Sequence, residues 1–395
     1  MKSIYYYMLA GLMLSTSGCS SWLSEDDAPV MSYDYYETEA GVNAAITAAY
    51  GFLRWGVGGE RFDVLTEHGT DLFTEGEDGN NRESYNKYAT QLNPDDGILH
   101  EMWENHYKGI SDANIAMQKI LDSKDLLENV KSQSYAEMQF IRAYLYFDLV
   151  QQFGRIPLVT EGSFDIRTDF KRASVADIYN LIISDLRNAV ENLPEKVATK
   201  GRATCYSAAH LLSKVYLTRG SAVSDQRGQK ATDMDSTLYY AEKVINSGAF
   251  TLQENFSSLW DISNQGNSEV VFAIQFTTEP MFNGDGNRQH LYWLSWYEDQ
   301  PGMLRDIANG RPYRRHVATK KTMDDLYDRL HDSRFYKSFK WVYYANNVNT
   351  LPVWESLSYD GTVYFNPDPS KGQVIGQLKF QHGDTAIYYT MEKTG

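Results

Sequence analysis

The densest set of residues suited to ligand chemistry in this 395-residue chain is His290-Leu-Tyr-Trp-Leu-Ser-Trp-Tyr297, flanked by polar loops. A flat aromatic face meets the apolar C–H face of a pyranose ring, and nearby amides, acids and arginines then hydrogen-bond its hydroxyls. Tyr292, Trp293, Trp296 and Tyr297 cannot all point one way in a short loop or strand, so some are expected at the surface. Trp293 and Trp296 are the favoured stacking pair. The competing reading is that these rings pack a junction between two parts of the molecule. A second candidate is the polar excursion over 55–82, which holds Trp55, Arg61, Asp71, Asn80, Asn81 and Arg82. Its plain alternative is an ordinary surface loop.

Catalytic constellations are missing from the sequence. The eight histidines include no His-Glu-x-x-His, and none pair on a helix face at metal-ligand spacing, so no metal site is expected. There is no nucleophile elbow, phosphate loop or dinucleotide fingerprint. The adjacent acids Asp95-Asp96 and Asp324-Asp325 diverge and read as solvated surface, and His210 reads as a satisfied core histidine. Asn283-Gly-Asp-Gly-Asn287 and Glu75-Gly-Glu-Asp-Gly-Asn80 have the oxygen content for Ca²⁺. Neither follows the twelve-residue calcium loop, so plain turns are the default and no cofactor is expected. A net charge of −15, from 37 basic and 52 acidic residues, excludes a nucleic-acid partner, which needs basic patches. Aromatic residues make up 14 % of the chain, more than a core requires, and this favours a binding surface.

Helices must position these groups. Residues 37–54 read as an Ala-rich helix, and 55–97 as a long loop excursion. Residues 98–121 carry Trp103, Tyr107, Ile110, Asn114, Met117 and Leu121 on one face. Over 131–153, Met138, Ile141, Leu145 and Leu149 form one apolar stripe, and Phe140, Tyr144 and Phe147 form a second. A helix with two apolar faces is packed on two sides, as in helical repeats. Gly154 and Pro157 stop it. Ser174-x-x-Asp177 caps the next helix, and Gly201-Arg-Ala-Thr204 leads into another through Tyr216. The spacing predicts two antiparallel hairpins, 98–121 with 131–153 and 174–192 with 204–219, followed by a helix over 235–247. After residue 250 the texture turns to loops and β-prone runs, and Glu269–Phe276 is predicted to be a buried strand.

The first residues read as an address. Lys2 precedes a short apolar stretch, Ile4 to Leu14, and then Ser-Thr-Ser-Gly-Cys19. The stretch is too short to span a bilayer and has the layout of a secretory signal over 1–18. Small residues before Cys19 suggest a lipidation site, with 19–36 as a tether. The pattern departs from the usual one by placing Thr16, rather than Leu, three positions before the cysteine. With Cys19 acylated, Cys205 has no intramolecular disulfide partner.

The run Gln139-Phe-Ile-Arg-Ala-Tyr-Leu-Tyr-Phe-Asp-Leu-Val-Gln-Gln-Phe-Gly-Arg-Ile-Pro157 resembles the signature helix of the SusD/RagB family. So do Trp103-x-x-x-Tyr107-x-x-Ile110-x-x-x-Asn114, Gly201-Arg-Ala-Thr204, Asn267-Ser-Glu-Val-Val-Phe272 and the Asp-x-Arg segment at 332–334. The resemblance implies a mainly α fold: a tetratricopeptide-like superhelix over 37–249 and an irregular α+β ligand-binding portion over 250–395, incomplete at its C-terminal end. It also implies a surface-exposed lipoprotein of the outer membrane that captures nutrient and delivers it to a TonB-dependent transporter, with no enzymatic activity. Oligosaccharide is the expected cargo. Peptide is the alternative, and a helical scaffold without small ligand is a third reading.

Overall fold

The computed structural model describes residues 35, 38–76, 83–89, 92–162, 167–223, 225–284, 286–359 and 362–388. Cys19, Asn80, Asn81 and Arg82 lie outside them, as do the expected signal and most of the tether. The first helix is α1, Glu39–Gly51, capped by the Thr38 side chain. Then come α2, Gly97–Asp122, and α3, Glu128–Phe153. They are followed by α4, Val175–Asn192, α5, Cys205–Gly220, and α6, Asp233–Ile245. Each of α2 to α5 packs on its successor, and α1 lies against α2 and α3. This is the tetratricopeptide-like stack that the double-faced stripes predict. Both stripes of α3 are buried apart from the half-buried Tyr144. α2 and α3 cross closely at Gly109, where an added Cβ would sit 2.6 Å from Leu145 Cδ1.

Charged residues of the signature segments are bound inside this stack. Arg142 makes paired hydrogen bonds to Asp185 at 2.8 Å each and donates to Asn114 Oδ1 at 2.7 Å. That links α2, α3 and α4. Arg202 pairs with Glu137 of α3, and the Tyr50 hydroxyl donates to the same carboxylate at 2.7 Å. The Ala203 amide in turn donates to Tyr50 at 2.7 Å. Burial, with Glu137 alongside, holds the Tyr50 phenol above its ordinary range. The Gly-Arg-Ala-Thr segment is therefore a clamp on α1 and α3, and Thr204 with Ser207 closes a capping box at the start of α5.

Beyond α6 regular structure thins out, as expected of an irregular α+β portion. Three antiparallel two-stranded ribbons are found among the described residues. β1, Phe73–Glu75, pairs with β2, His316–Ala318. β3, Val342–Tyr344, pairs with β6, Thr385–Tyr388, and β4, Leu357–Tyr359, with β5, Thr362–Phe365. The first ribbon joins the early excursion to the late part of the chain. Two readings change here. The span 55–97 is not one long loop, because it contains the helices Trp55–Gly58, Glu60–Thr66 and Glu83–Lys87. Their short lengths dilute the periodicity that a longer helix shows. Glu269–Phe276 forms no strand. Its Val271, Phe272 and Ile274 instead pack on the helical core, so the apolar run is used as a lid over helices without a ladder partner.

Three side chains also stand elsewhere than expected: Leu121, exposed near the end of α2, Asp324 and His210. Asp324 is buried against Arg329, whereas its neighbour Asp325 is exposed. His210 lies on the outer face of α5 with Lys214 and Leu217, exposed. Single-residue burial depends on which helix face is left uncovered, which the apolar pattern around His210 does not disclose.

Candidate functional site

A cavity of about 780 Å³ opens where the helical stack meets the irregular portion. α1 turns at its end into Phe52–Arg54 and the short helices Trp55–Gly58 and Glu60–Thr66, which form one wall. Glu101 and Asn105 of α2 form the next. The opposite wall comes from Phe276, Gly284, Gly286, Arg288, Tyr292, Tyr313 and Arg315. The walls meet at Gly58. A Cβ there would lie 2.7 Å from the Phe276 ring and 2.9 Å from the Gly286 carbonyl, and the Gly58 carbonyl accepts from the Arg288 amide at 3.0 Å. Only a glycine permits that approach.

Aromatic rings and ion pairs share the lining. Trp55 is half-buried, edge-on to Phe62 and His106 at ring separations of 6.0 and 5.6 Å. Tyr292 and Tyr313 lie 5.8 Å apart at a tilt. Burial pushes the Tyr292 phenol above its ordinary range. Arg315 reaches Glu60 at 3.0 Å, and Arg61 pairs with Glu101. Arg54 donates to the Gln275 carbonyl at 2.8 Å and lies over the Phe276 ring at 5.5 Å. Such a site can stack a ring and hydrogen-bond its substituents.

The four aromatics of the 290–297 run separate. Tyr292 enters this cavity. Trp293 is half-buried behind it: its indole donates to Gln289 at 2.6 Å and its ring packs 4.9 Å from Phe73 and 4.7 Å from His316. That is the junction role of the competing reading. Trp296 is exposed, donating to Asp299 at 2.7 Å, with Arg314 over its ring at 4.8 Å. Tyr297 is fully buried and stacks on Tyr343 at 5.0 Å, so it cannot contact a ligand. The helix Gln289–Tyr292 ends before Trp293, so the two tryptophans do not share a helix face. From the second candidate region, Trp55 and Arg61 reach the cavity, and Asp71 is engaged with Lys321 at the surface.

Behind the wall lies a buried polar chain. His68 Nε2 and His316 Nδ1 are 2.8 Å apart, and His316 Nε2 is 3.4 Å from Asp63 Oδ2. Gln289 donates to Asp63 at 2.7 Å. Burial pushes the Asp63 carboxyl up to about 6, while hydrogen bonds from Gln289 and Trp293 pull the other way. Among the described residues no group of three or more metal-ligating side chains is poised to hold an ion. The Asn283 side chain accepts from the Thr277 amide at 3.0 Å, as in a plain turn.

Sequence reading missed Arg54, Glu60, Glu101, Arg288, Tyr313 and Arg315. One signal was present: Arg311-Pro-Tyr-Arg-Arg-His316 is a basic, aromatic run in an acidic chain.

Residues 26–217 match the SusD-like family model described as starch-binding, associating with the outer membrane. The chain belongs to the SusD-like family. SusD-like protein P2 of Formosa agariphila is 27 % identical over 338 residues, 79 % of this chain and 63 % of that protein. A SusD-like protein of Bacteroides ovatus is 27 % identical over 197 residues, 49 % of this chain and 36 % of its own. The match thus spans under two thirds of either relative. Among solved structures, a laminarin-binding SusD-like protein superposes with a TM-score of 0.52 at 27 % identity, covering 60 % of this chain and 50 % of that one. A structure solved with xylogluco-oligosaccharide superposes with a TM-score of 0.58 at 22 % identity, over 73 % and 56 %, and shares the fold.

Proposed function

We propose that this SusD-like chain captures oligosaccharide in the cavity between its helical stack and its irregular portion. One observation carries the reading: Trp55, Tyr292 and Tyr313 line one cavity together with hydrogen-bonding side chains. Rings supply stacking area at low conformational cost, and polar groups around them fix orientation. The laminarin-binding relative supports a glycan over other cargo. The family description supports association with the outer membrane, and lipidation at Cys19 would supply the anchor. We place the protein on the cell surface, where it passes its ligand to a TonB-dependent transporter.

Calorimetric titration of residues 20–395 against a glycan library tests this. Trp55→Ala is expected to weaken the best ligand by about 1–3 kcal/mol with an unchanged melting temperature. Binding of oligopeptides and of no glycan would replace the carbohydrate reading with the peptide one.

A further inference from the structure

We infer that the glycan taken by this cavity is anionic, bearing carboxylate or sulfate groups; the inference rests on the glycan-capture reading above. Four guanidinium groups, Arg54, Arg61, Arg288 and Arg315, face two carboxylates, Glu60 and Glu101. Among the described lining residues this is an excess of two positive charges, in a chain whose net charge is −15. Charges more than about 8 Å away are largely screened at physiological ionic strength, so the local excess decides what a ligand meets at close range.

Hydrogen-bond capacity points the same way. Neutral sugars present hydroxyls, which need acceptors as well as donors. Guanidinium groups only donate. Each lining carboxylate already meets a cation, Glu60 with Arg315 and Glu101 with Arg61, and Asn283 Oδ1 accepts from the Thr277 amide. Asn105 uses its amide to donate to the Phe52 carbonyl at 3.0 Å, which leaves one side-chain acceptor there. What remains is donor-rich. Arg288 is exposed at the rim and shares the lining with Tyr292. A carboxylate or sulfate only accepts and takes two parallel bonds from one guanidinium, which matches this surplus. The rings beside it provide the stacking face for the sugar that carries the anion.

Matched ligand pairs provide the test, using the full chain in a non-glycosidic detergent: an oligogalacturonate with its carboxyl-reduced form, and a sulfated galactan oligosaccharide with its desulfated form. At least one anionic member is expected to bind about tenfold or more tighter than its neutral partner, a preference of one order in Kd. The pair that shows it tells carboxylate from sulfate recognition. Raising the salt is expected to weaken the anionic member selectively. Arg288→Gln, a rim change that leaves the fold intact by circular dichroism, is expected to remove most of the preference, and Arg54→Gln to reduce it. Equal binding within each pair overturns the inference while leaving glycan capture standing. A preference that survives both substitutions overturns its assignment to this cavity. Binding of no glycan, with the protein folded, overturns it together with the capture reading.

Discussion

The helical stack and the irregular portion solve burial differently. In the stack, α1 to α6 share one contiguous apolar core, and the charges inside it are matched in pairs: Arg142 with Asp185, Arg202 with Glu137, Arg219 with Asp233. Beyond residue 250 the buried apolar residues are few, Phe335 and a small cluster of Tyr297, Met303 and Tyr343 among them, held by two-stranded ribbons and loop hydrogen bonds. A rigid stack against a loop-built wall leaves a gap at the seam. Loops positioned by a rigid scaffold are where binding groups concentrate. The polar cavity with Trp55, Tyr292 and four arginines lies at that seam.

Four changes would break or sharpen this contrast. The largest effect is expected from Asp185→Ala, which leaves Arg142 charged and buried; it should cost about 3–5 kcal/mol in chemical denaturation. A loss under about 1 kcal/mol would mean that the buried pairs do not hold the stack. Leu145→Ala, fully inside the same core, should cost about 2–5 kcal/mol, judged by the same denaturation midpoint.

The third lies at the seam and depends on pH. Asp63 has its carboxyl pushed up to about 6 from an ordinary 3.8, with burial as the leading cause. The folded state therefore holds this proton more tightly than the unfolded state. Its contribution favours folding below about pH 4 and is lost as pH rises through about 6, a change of up to about 3 kcal/mol. Asp63→Asn should remove that downward slope between pH 4 and 6. Stability curves that stay parallel for the two proteins across this window would refute it.

The smallest concerns the two candidate stacking rings. Trp296 already has Arg314 over one face, whereas Trp55 borders the cavity. Trp296→Ala is expected to alter glycan affinity by less than about 1 kcal/mol, below the loss expected for Trp55→Ala. The reverse order in titration would move the binding face to the surface around Trp296.

Much of the stack was legible beforehand because helices write themselves locally. The two stripes of 138–149, the stop at Gly154 and Pro157, the cap at Ser174 and the lead into a helix at Gly201-Arg-Ala-Thr204 are all short-range patterns, and each is an observed boundary or core face within a residue or two. The wall of the cavity was not legible in that way. Tyr292 and Tyr297 stand five apart in one aromatic run, yet one lines a cavity and the other is sealed against Tyr343. That outcome depends on partners 20 to 50 residues further on, and no local period encodes it. His68 and His316, far apart in the chain, meet only because β1 pairs with β2. The sequence alone determined the helices, their order and the family, since periodicity and capping act over a few residues. Tertiary structure alone decided which aromatics face a ligand and which arginines gather beside them, because loop walls are set by long-range contacts whose register no neighbouring residue specifies.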